Sequence, residues 1–206
     1  MKTVVLATNN AHKVAEIATA LDFPGWEFRT LRELGIESDP AEDADTFEGN
    51  ARIKARAAHE ASGGFAALAD DSGLEIDYLN KEPGIYSARY MGTDTSYDIK
   101  NSALLERLEG VPDEQRTARF VCAIAAEFPD GTEEVVRGTM EGRIGHEIIG
   151  ENGFGYDPIF FLPQYGCTSA QLPPEEKNAL SHRGEGLRKM RKIMEERLSN
   201  EDTDRK

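Results

Sequence analysis

The amino-acid sequence predicts an α/β protein built around a mixed sheet. Strand and helix patterns alternate in the first part of the chain, and two long strand patterns flank the turn signal Pro-Asp-Gly-Thr at positions 129–132. No repeat is present, and no linker is long enough to separate two independent domains. We therefore expect one domain over residues 1–198, followed by a polar C-terminal tail over residues 199–206.

The first three elements follow one another closely. Residues 4–7 are apolar, as in a strand that is buried in a parallel or mixed sheet. Apolar residues recur at helical spacing over residues 11–21, which predicts an amphipathic helix. A second strand is expected over residues 26–31, after the turn formed by Pro24 and Gly25.

The later elements are bounded by clear turn and capping signals. Asp45 is expected to cap a helix, with Glu48 three positions on as the capping box. The segment from Asp70 to Gly73 is expected to break two short strands apart. The expected elements are a helix over 46–61, strands over 65–69 and 74–79, a helix over 96–109, strands over 119–128, 133–144 and 159–162, a short helix from 173, and a helix over 185–198.

Charge and composition exclude several classes of protein. The chain has 24 basic and 38 acidic residues, a formal net charge of −14, which repels DNA and RNA as phosphate polymers. The longest apolar run, at positions 120–126, has seven residues, whereas a membrane helix needs about 20. Because there are two cysteines and no signal-peptide pattern, we expect a reduced, cytoplasmic protein that does not associate with membranes.

The segment from Thr8 to Lys13 is a candidate phosphate-binding segment. It lies between the first strand and the first helix, and a helix N-terminus offers unpaired N–H groups and a partial positive charge. Lys13 adds a full charge, and ligands of open α/β sheets lie at the carboxyl ends of strands. The alternative is an ordinary turn with a surface lysine.

Lys54 lies on the buried face of the helix expected over 46–61, on the same stripe as Phe47, Ala51 and Ala58. A lysine in that position either extends its ammonium group to solvent or meets an anion such as a phosphate. The sequence leaves both alternatives open.

A pair of carboxylates could bind a metal ion. Asp70 and Asp71 follow an apolar strand, and adjacent strand residues point to opposite sides, so one of them can enter a cleft. Glu42 or Asp43 can supply a second carboxylate from the acidic loop. Two carboxylates plus substrate phosphates is the usual way in which Mg²⁺ is bound. The alternative is a capped turn on the surface.

Aromatic and basic residues near the end of the chain suit a nucleobase. Phe154 stands between two glycines, which allow close approach of a base that stacks on its ring; the alternative is an aromatic side chain in the core. Lys177, His182 and Arg183 lie where the local charge becomes positive, and they are candidates for hydrogen bonds to a ligand. Together with the preceding residues, they predict a nucleoside triphosphate site with Mg²⁺.

The chain resembles the inosine/xanthosine triphosphate pyrophosphatase family from Lys2 to about Met194. The matching blocks are ATNNAHKVAEI, TFEGNARIKARAA, ALADDSGLEID, PGIYSARY, GENGFGYDPIF and EEKNALSHRGEGL. The resemblance implies a mixed α/β fold with an elongated, twisted central sheet, whose flanking helices form two lobes around an active-site cleft. It also implies a homodimer that uses Mg²⁺ to hydrolyse ITP, dITP and XTP to the monophosphate and pyrophosphate, keeping deaminated purines out of nucleic acids.

The resemblance also assigns roles to residues. Asp71 corresponds to the catalytic proton acceptor, and Asp71 and Glu42 correspond to the metal ligands. The substrate-binding residues that it implies are Thr8, Asn9, Asn10, Lys13, Lys54, Ser72, Phe154, Gly155, Tyr156, Asp157, Lys177, His182 and Arg183. Many members carry Gly and a small residue in the first loop where this chain has Asn10, Ala11 and His12, and no role is assigned to His12.

The expected reaction is attack of a water molecule on the α-phosphorus, with Asp71 orienting or deprotonating that water. Two alternatives remain open. One is a related pyrophosphatase that acts on other bases, such as modified pyrimidines. The other is a nucleotide-binding module without catalytic activity, for which a metal-oriented water would have no purpose.

Overall fold

The structure, a computed structural model, describes residues 2–22 and 24–204, and it describes side chains as far as Arg197. Within these residues, the strands form one seven-stranded sheet. The strands are β1 (Lys2–Leu6), β2 (Trp26–Thr30), β3 (Ala66–Ile76), β4 (Thr117–Glu127), β5 (Glu133–Ile144), β6 (Phe160–Leu162) and β7 (Cys167–Thr168).

The sheet is mixed, which confirms the predicted fold class. Its strand order is β2-β1-β3-β4-β5-β6-β7. Strand β1 pairs in parallel with β2 on one side and with β3 on the other, whereas β6 is antiparallel to both β5 and β7. The parallel part corresponds to the apolar strands at the start of the chain, and strands β4 and β5 flank the predicted turn at 129–132.

Five α-helices accompany the sheet in the described part of the chain. They are α1 (Ala11–Ala20), α2 (Phe47–Ala61), α3 (Tyr97–Arg107), α4 (Pro174–Leu180) and α5 (His182–Asp204). Short 3₁₀ turns lie at Asp77–Leu79, Gly84–Tyr86, Asp113–Gln115, Asp157–Ile159 and Ser169–Gln171. Among the described residues, none of the helices is both long and apolar enough to span a bilayer.

The chain divides into two compact units, of which the first comprises residues 1–71, 122–138 and 183–206. In this unit both faces of β1 are covered. Val4 belongs to a cluster with Ile17 of α1 and Met190 of α5, whereas Val5 belongs to another cluster with Ala58 of α2. Burial on both faces explains why the strand is apolar throughout.

The second unit comprises residues 72–121 and 139–182 and has its own core. Leu74 and Ile76 of β3 belong to this core, together with Leu104 of α3 and Phe160 of β6. The ring centroids of Phe120 and Phe160 are 4.4 Å apart. Strands β3, β4 and β5 each contribute residues to both units.

The predicted break at Asp70–Gly73 is wrong, because β3 is one strand of 11 residues that passes through this segment. Charged residues are uncommon in strands, and for that reason the local pattern predicted a turn. The aspartates are accommodated because cationic partners from the helices neutralise them. Lys13 is bonded to Asp70, and Lys54 is bonded to Asp71.

Several boundaries also differ from the prediction. The cap of α2 is Thr46, whose side chain accepts a hydrogen bond from the Gly49 N–H, and not Asp45. Helix α5 begins at His182, earlier than the predicted start near Glu185, and it continues to Asp204. The two-residue strand β7 has no clear sequence pattern of its own. Arg205 and Lys206 of the predicted tail lie outside the described residues.

Candidate active site

The turn between β1 and α1 is organised by Asn10, which caps the helix. Its side-chain oxygen accepts hydrogen bonds from the backbone N–H groups of His12 at 3.0 Å and Lys13 at 3.3 Å. Thr8 Oγ1 accepts a hydrogen bond from the Asn10 N–H at 3.2 Å, and Asn9 is exposed. The cap occupies two of the amides that a phosphate could have used, so the ammonium of Lys13 becomes the important charge of this segment.

Lys54 of α2 lies between two carboxylates of the first unit. Its Nζ is 2.9 Å from Asp71 Oδ1 and 3.1 Å from Glu42 Oε2. The Lys54 side chain is only 15% exposed, so it meets anions instead of extending into solvent. Asp43, the alternative to Glu42, has an exposed side chain, and this geometry favours Glu42 as the partner of Asp71.

Asn50 is a member of this group that the sequence prediction did not include. Its Nδ2 donates to Asp71 Oδ2 at 3.4 Å, and its Oδ1 accepts from the Ala44 N–H at 3.1 Å. The buried amide therefore links the acidic loop to the carboxylate on β3. Its position on the apolar stripe of a helix could have indicated this role, because a buried amide needs hydrogen-bond partners.

Asp70 and Asp71 point to opposite faces of β3, as adjacent strand residues do. Asp71 faces α2 and contacts Lys54. Asp70 faces the other side, where its Oδ2 is 3.0 Å from Lys13 Nζ on α1 and 3.3 Å from Arg183 Nη2 on α5. Each carboxylate therefore has its own directly bonded cations, while the charges on the two faces still influence one another.

Burial and charge move the pKa values of these groups in different directions. Burial raises the pKa of Asp71, against the influence of Lys54, and the neighbouring Glu42 adds to the increase. Burial also disfavours the charge on Lys54, but the negative charges of Asp71 and Asp70 outweigh the effect of burial and raise the pKa of Lys54. The pKa of Asp70 is lowered, because Lys13 and Arg183 outweigh the effect of its burial. Asp71 is therefore the carboxylate of the pair that binds a proton more readily.

A second group of predicted residues is centred on Asp157 in the second unit. Asp157 Oδ2 accepts from the Phe154 N–H at 2.8 Å, and Oδ1 accepts from Ser169 Oγ at 2.8 Å. Lys177 Nζ donates to Oδ2 of the same carboxylate. The buried Asp157 thus fixes both the backbone of the glycine-rich loop and a lysine from α4.

Lys177 also lies over an aromatic ring, since its Nζ is 5.0 Å from the ring centroid of the half-buried Phe154. Gly153 makes this arrangement possible. Its φ is +76°, and a Cβ atom built there would lie 2.2 Å from Asp157 Oδ2 and 2.7 Å from Lys177 Nζ. A side chain at position 153 would therefore displace the lysine and the aspartate.

The side chain of Tyr156 belongs to the core of the second unit. It is 3% exposed, its hydroxyl donates to the Ser87 carbonyl at 2.7 Å, and its ring meets that of Tyr97 edge to face. A substrate contact from Tyr156 would therefore come from its backbone. The neighbouring Gly155 carbonyl accepts from Asn101 Nδ2 at 3.1 Å, and no local pattern predicts this contact.

His182 and Arg183 open α5, and both are buried. His182 stacks on Phe120 of the same unit, with ring centroids 5.0 Å apart. The Arg183 guanidinium is bonded to Asp70 and Glu16 in the first unit. Ser72, which follows the two aspartates on β3, is half-buried.

The structure therefore brings the predicted residues together in groups, each of which contains both positive and negative side chains. In the first unit, Lys13 and Lys54 lie close to carboxylates on β3, which suits the binding of a phosphate chain and an oriented water molecule. In the second unit, Phe154 and Lys177 provide a ring and a buried ammonium, which suits a planar base.

Known proteins of similar sequence indicate the family of this chain. The model of the Ham1 family matches residues 4–193. The dITP/XTP pyrophosphatase of Exiguobacterium sibiricum is 46% identical over 187 residues, which cover 91% of this chain and 94% of that protein. The dITP/XTP pyrophosphatase of Nitratidesulfovibrio vulgaris is 50% identical over 194 residues, which cover 91% of this chain and 93% of that protein.

A solved structure gives the same result for the fold. The structure of a HAM1 protein from Coxiella burnetii matches with a TM-score of 0.88 and 41% sequence identity, over 95% of this chain and 100% of that chain. Because the family model and the relatives match nearly the whole sequence, the chain belongs to the Ham1 family.

Proposed function

We propose that this protein is a nucleoside triphosphate pyrophosphatase that hydrolyses dITP, XTP and ITP to the monophosphate and pyrophosphate. The observation that carries the proposal is the Lys54 ammonium held between Asp71 and Glu42 on the first unit. The names of the relatives support the dITP and XTP specificity. ITP is added because it has the same base as dITP.

The triphosphate is bound by Lys13 and Lys54. Each ammonium has three N–H donors, so a lysine that is bonded to a carboxylate can still donate to a phosphate oxygen. Lys13 uses one donor for Asp70, and Lys54 uses one donor each for Asp71 and Glu42. The carboxylates hold both cations in place before the substrate arrives, which reduces the entropy that binding must overcome.

The donor set fits Mg²⁺. Glu42 and Asp71 offer two carboxylates that both reach the same Lys54 ammonium, and Mg²⁺ is usually bound by one or two carboxylates with water and phosphate as the other ligands. Within the described residues, no group of three or more His, Cys, Asp and Glu side chains is placed to hold a metal. When bound, Mg²⁺ neutralises negative charge on the phosphates.

Asp71 is the general base of the proposed reaction. Because its pKa is raised towards neutral pH, the ionised carboxylate of Asp71 is a better proton acceptor than that of an ordinary aspartate. Asp71 takes a proton from a water molecule, and the water oxygen forms a bond to the α-phosphorus. The bond from that phosphorus to the bridging oxygen of the β-phosphate breaks, and Lys13 and Lys54 stabilise the negative charge on the departing pyrophosphate.

The base is recognised by the second unit. Phe154 stacks on the purine, and Lys177, held by Asp157, donates towards a keto oxygen at position 6. Adenine carries an amino group at that position, so it would leave a buried donor unpaired. Sites of this kind can discriminate by about 10⁴-fold.

Pyrophosphate release from a panel of nucleotides tests the proposal. ITP, dITP, XTP, GTP, dUTP and 5-methyl-UTP are compared with and without Mg²⁺, and release is expected from the first three in the presence of Mg²⁺. Faster hydrolysis of the pyrimidine nucleotides would favour the related pyrophosphatase. Binding of ITP without pyrophosphate release would favour a module that only binds nucleotides.

We also propose that the protein is a homodimer, as the resemblance to the pyrophosphatase family implies. Light scattering coupled to gel filtration measures the mass in solution and compares it with the 22.8 kDa of one chain. A mass of one chain at micromolar concentration would contradict this proposal.

A further inference from the structure

Asp70 is adjacent to the proposed general base, yet its contacts are different. Its side chain is completely buried, and its Oδ2 is 3.0 Å from Lys13 Nζ. The Nε and Nη2 atoms of Arg183 donate to the same oxygen, each at 3.3 Å. The carboxylate therefore joins the first turns of α1 and α5 to the centre of β3.

The charges around Asp70 are balanced. Glu16 Oε2 accepts from Arg183 Nη1 at 2.7 Å, so two carboxylates face two cations. The Asp70 carboxylate attracts both cations in a buried site, where solvent screens charges weakly.

Lys13 is the member of this cluster through which Asp70 can influence a substrate. Its side chain is 17% exposed, whereas that of Arg183 is 3% exposed. A lysine has a flexible stem of four carbons, so its ammonium has many possible positions unless a partner fixes it. Asp70 holds the Lys13 ammonium in one position from its buried side. The other N–H donors of the ammonium are left for a ligand.

We propose that Asp70 is a positioning residue that holds the Lys13 ammonium in place for the triphosphate. This inference rests on the proposed function, because Lys13 is there assigned to the phosphates. Asp70 does not touch the substrate, since its carboxylate is fully buried beneath Lys13 and Arg183. Two adjacent aspartates thereby have separate tasks, with Asp71 acting on water and Asp70 acting on a lysine.

A double-mutant cycle tests this role. Asp70→Asn, Lys13→Met and the double variant are compared with the wild type for the kcat and KM of ITP hydrolysis, and for the Kd of pyrophosphate with Mg²⁺ measured by calorimetry. We expect Asp70→Asn to raise KM and Kd about tenfold, which corresponds to the loss of one well-placed charged contact. In the Lys13→Met background we expect no further increase.

An equal increase in both backgrounds would overturn the proposal, because a merely structural role weakens binding whether or not Lys13 is present. The matched control is Asp77→Asn, which removes an ion-paired carboxylate from the second unit and is expected to leave KM unchanged. Calorimetry also separates this inference from the proposed function. If the wild type hydrolyses no nucleotide, the proposed function fails, while the pyrophosphate Kd values still report on Lys13.

A second variant covers the case in which Asp70→Asn does not fold, as judged by circular dichroism. Asp70→Glu keeps the negative charge but displaces it by one methylene, so the ammonium of Lys13 is moved and both KM and Kd are expected to rise. A folded Asp70→Glu protein with wild-type KM and Kd would contradict the proposal.

Discussion

Asp70 and Asp71 have identical side chains, but the alternation of β3 places them in different electrostatic surroundings. Asp71 shares its face of the sheet with another carboxylate, Glu42, and its pKa is raised by burial and by that neighbour. Asp70 faces Lys13 and Arg183, and its pKa is lowered. Their positions on the sheet, and not their residue type, decide which of them can accept a proton.

Replacing the proposed general base should affect turnover far more than binding. We expect Asp71→Asn to lower the kcat of ITP hydrolysis by about 10²–10⁴-fold, the usual contribution of a general base, and to change KM by less than about threefold. Steady-state kinetics with a pyrophosphate assay measures both quantities. A variant with near wild-type kcat would remove Asp71 from the mechanism.

The acidic loop offers a matched pair of variants for the metal. Glu42 is bonded to Lys54, whereas its neighbour Asp43 is exposed. We expect Glu42→Gln to raise the Mg²⁺ concentration for half-maximal activity about tenfold, because one of two carboxylate ligands is lost, and Asp43→Asn to leave it unchanged. Activity is measured as a function of Mg²⁺ at saturating ITP. Equal effects of the two substitutions would argue for long-range charge instead of direct ligation.

The glycine-rich loop of the second unit is held from several sides. Asp157 accepts from the Phe154 N–H, and Asn101 donates to the Gly155 carbonyl. Tyr156 is fixed at Ser87 through its hydroxyl. The loop is thus anchored to α3 and to the segment before it, which keeps Phe154 and Lys177 in a defined position.

Gly153 and Gly166 allow a test of this loop, because an alanine would strain the backbone to a similar extent at both positions. Both have positive φ, +76° and +65°, so alanine should destabilise the fold by about 1 kcal/mol at either position. Only at Gly153 would the added Cβ displace Lys177 and Asp157, since nothing lies within 4 Å at Gly166. We expect the KM of ITP to rise about tenfold for Gly153→Ala and to stay constant for Gly166→Ala.

Thermal unfolding measures how far the backbone strain destabilises each variant. The KM of ITP measures the effect of displacing Lys177. If Gly166→Ala raises KM as much as Gly153→Ala, the effect comes from general destabilisation, and Lys177 has no part in recognising the base.

Local patterns predicted most elements but not the partners of the charged side chains. Helical spacing correctly placed Lys54 on the inward face of α2, and the alternation of strands and helices predicted the mixed sheet. The break at Asp70 was wrong because its partners are remote in sequence. Arg183 follows it by 113 residues, and no local propensity contains that information.

The net charge of −14 says little about the individual sites. Four of the candidate ligand-binding residues are lysines or arginines from separate segments of the chain. In the structure each of these cations is bonded to a carboxylate. The pairs are Lys13 with Asp70, Lys54 with Asp71 and Glu42, Lys177 with Asp157, and Arg183 with Asp70 and Glu16. Attraction of an anion to these cations therefore depends on oriented donors more than on a large local excess of positive charge.

The whole molecule should lose stability in acid for two reasons. Asp70 in the first unit and Asp77 in the second both have pKa values that cationic partners lower in the folded state. Their contribution to stability is complete above the unfolded pKa of about 3.9, and it is lost as the pH falls towards the lower folded values. Protonation of all carboxylates would also change the net charge from −14 to +28, given 24 Lys and Arg and four His residues, so that self-repulsion increases.

We expect the urea midpoint of unfolding, followed by circular dichroism, to change little between pH 7 and 5 and to fall steeply between pH 4 and 3. Asp77→Asn isolates one carboxylate, because Arg119 Nη1 lies 3.0 Å from Asp77 Oδ1 in the wild type. The variant should be less stable than the wild type at pH 7. The difference should shrink below about pH 4, because Asp77 of the unfolded chain begins to bind a proton there while the ion-paired Asp77 of the folded protein stays ionised. A difference that stays constant down to pH 3 would show that the stabilising contact does not depend on the charge of Asp77.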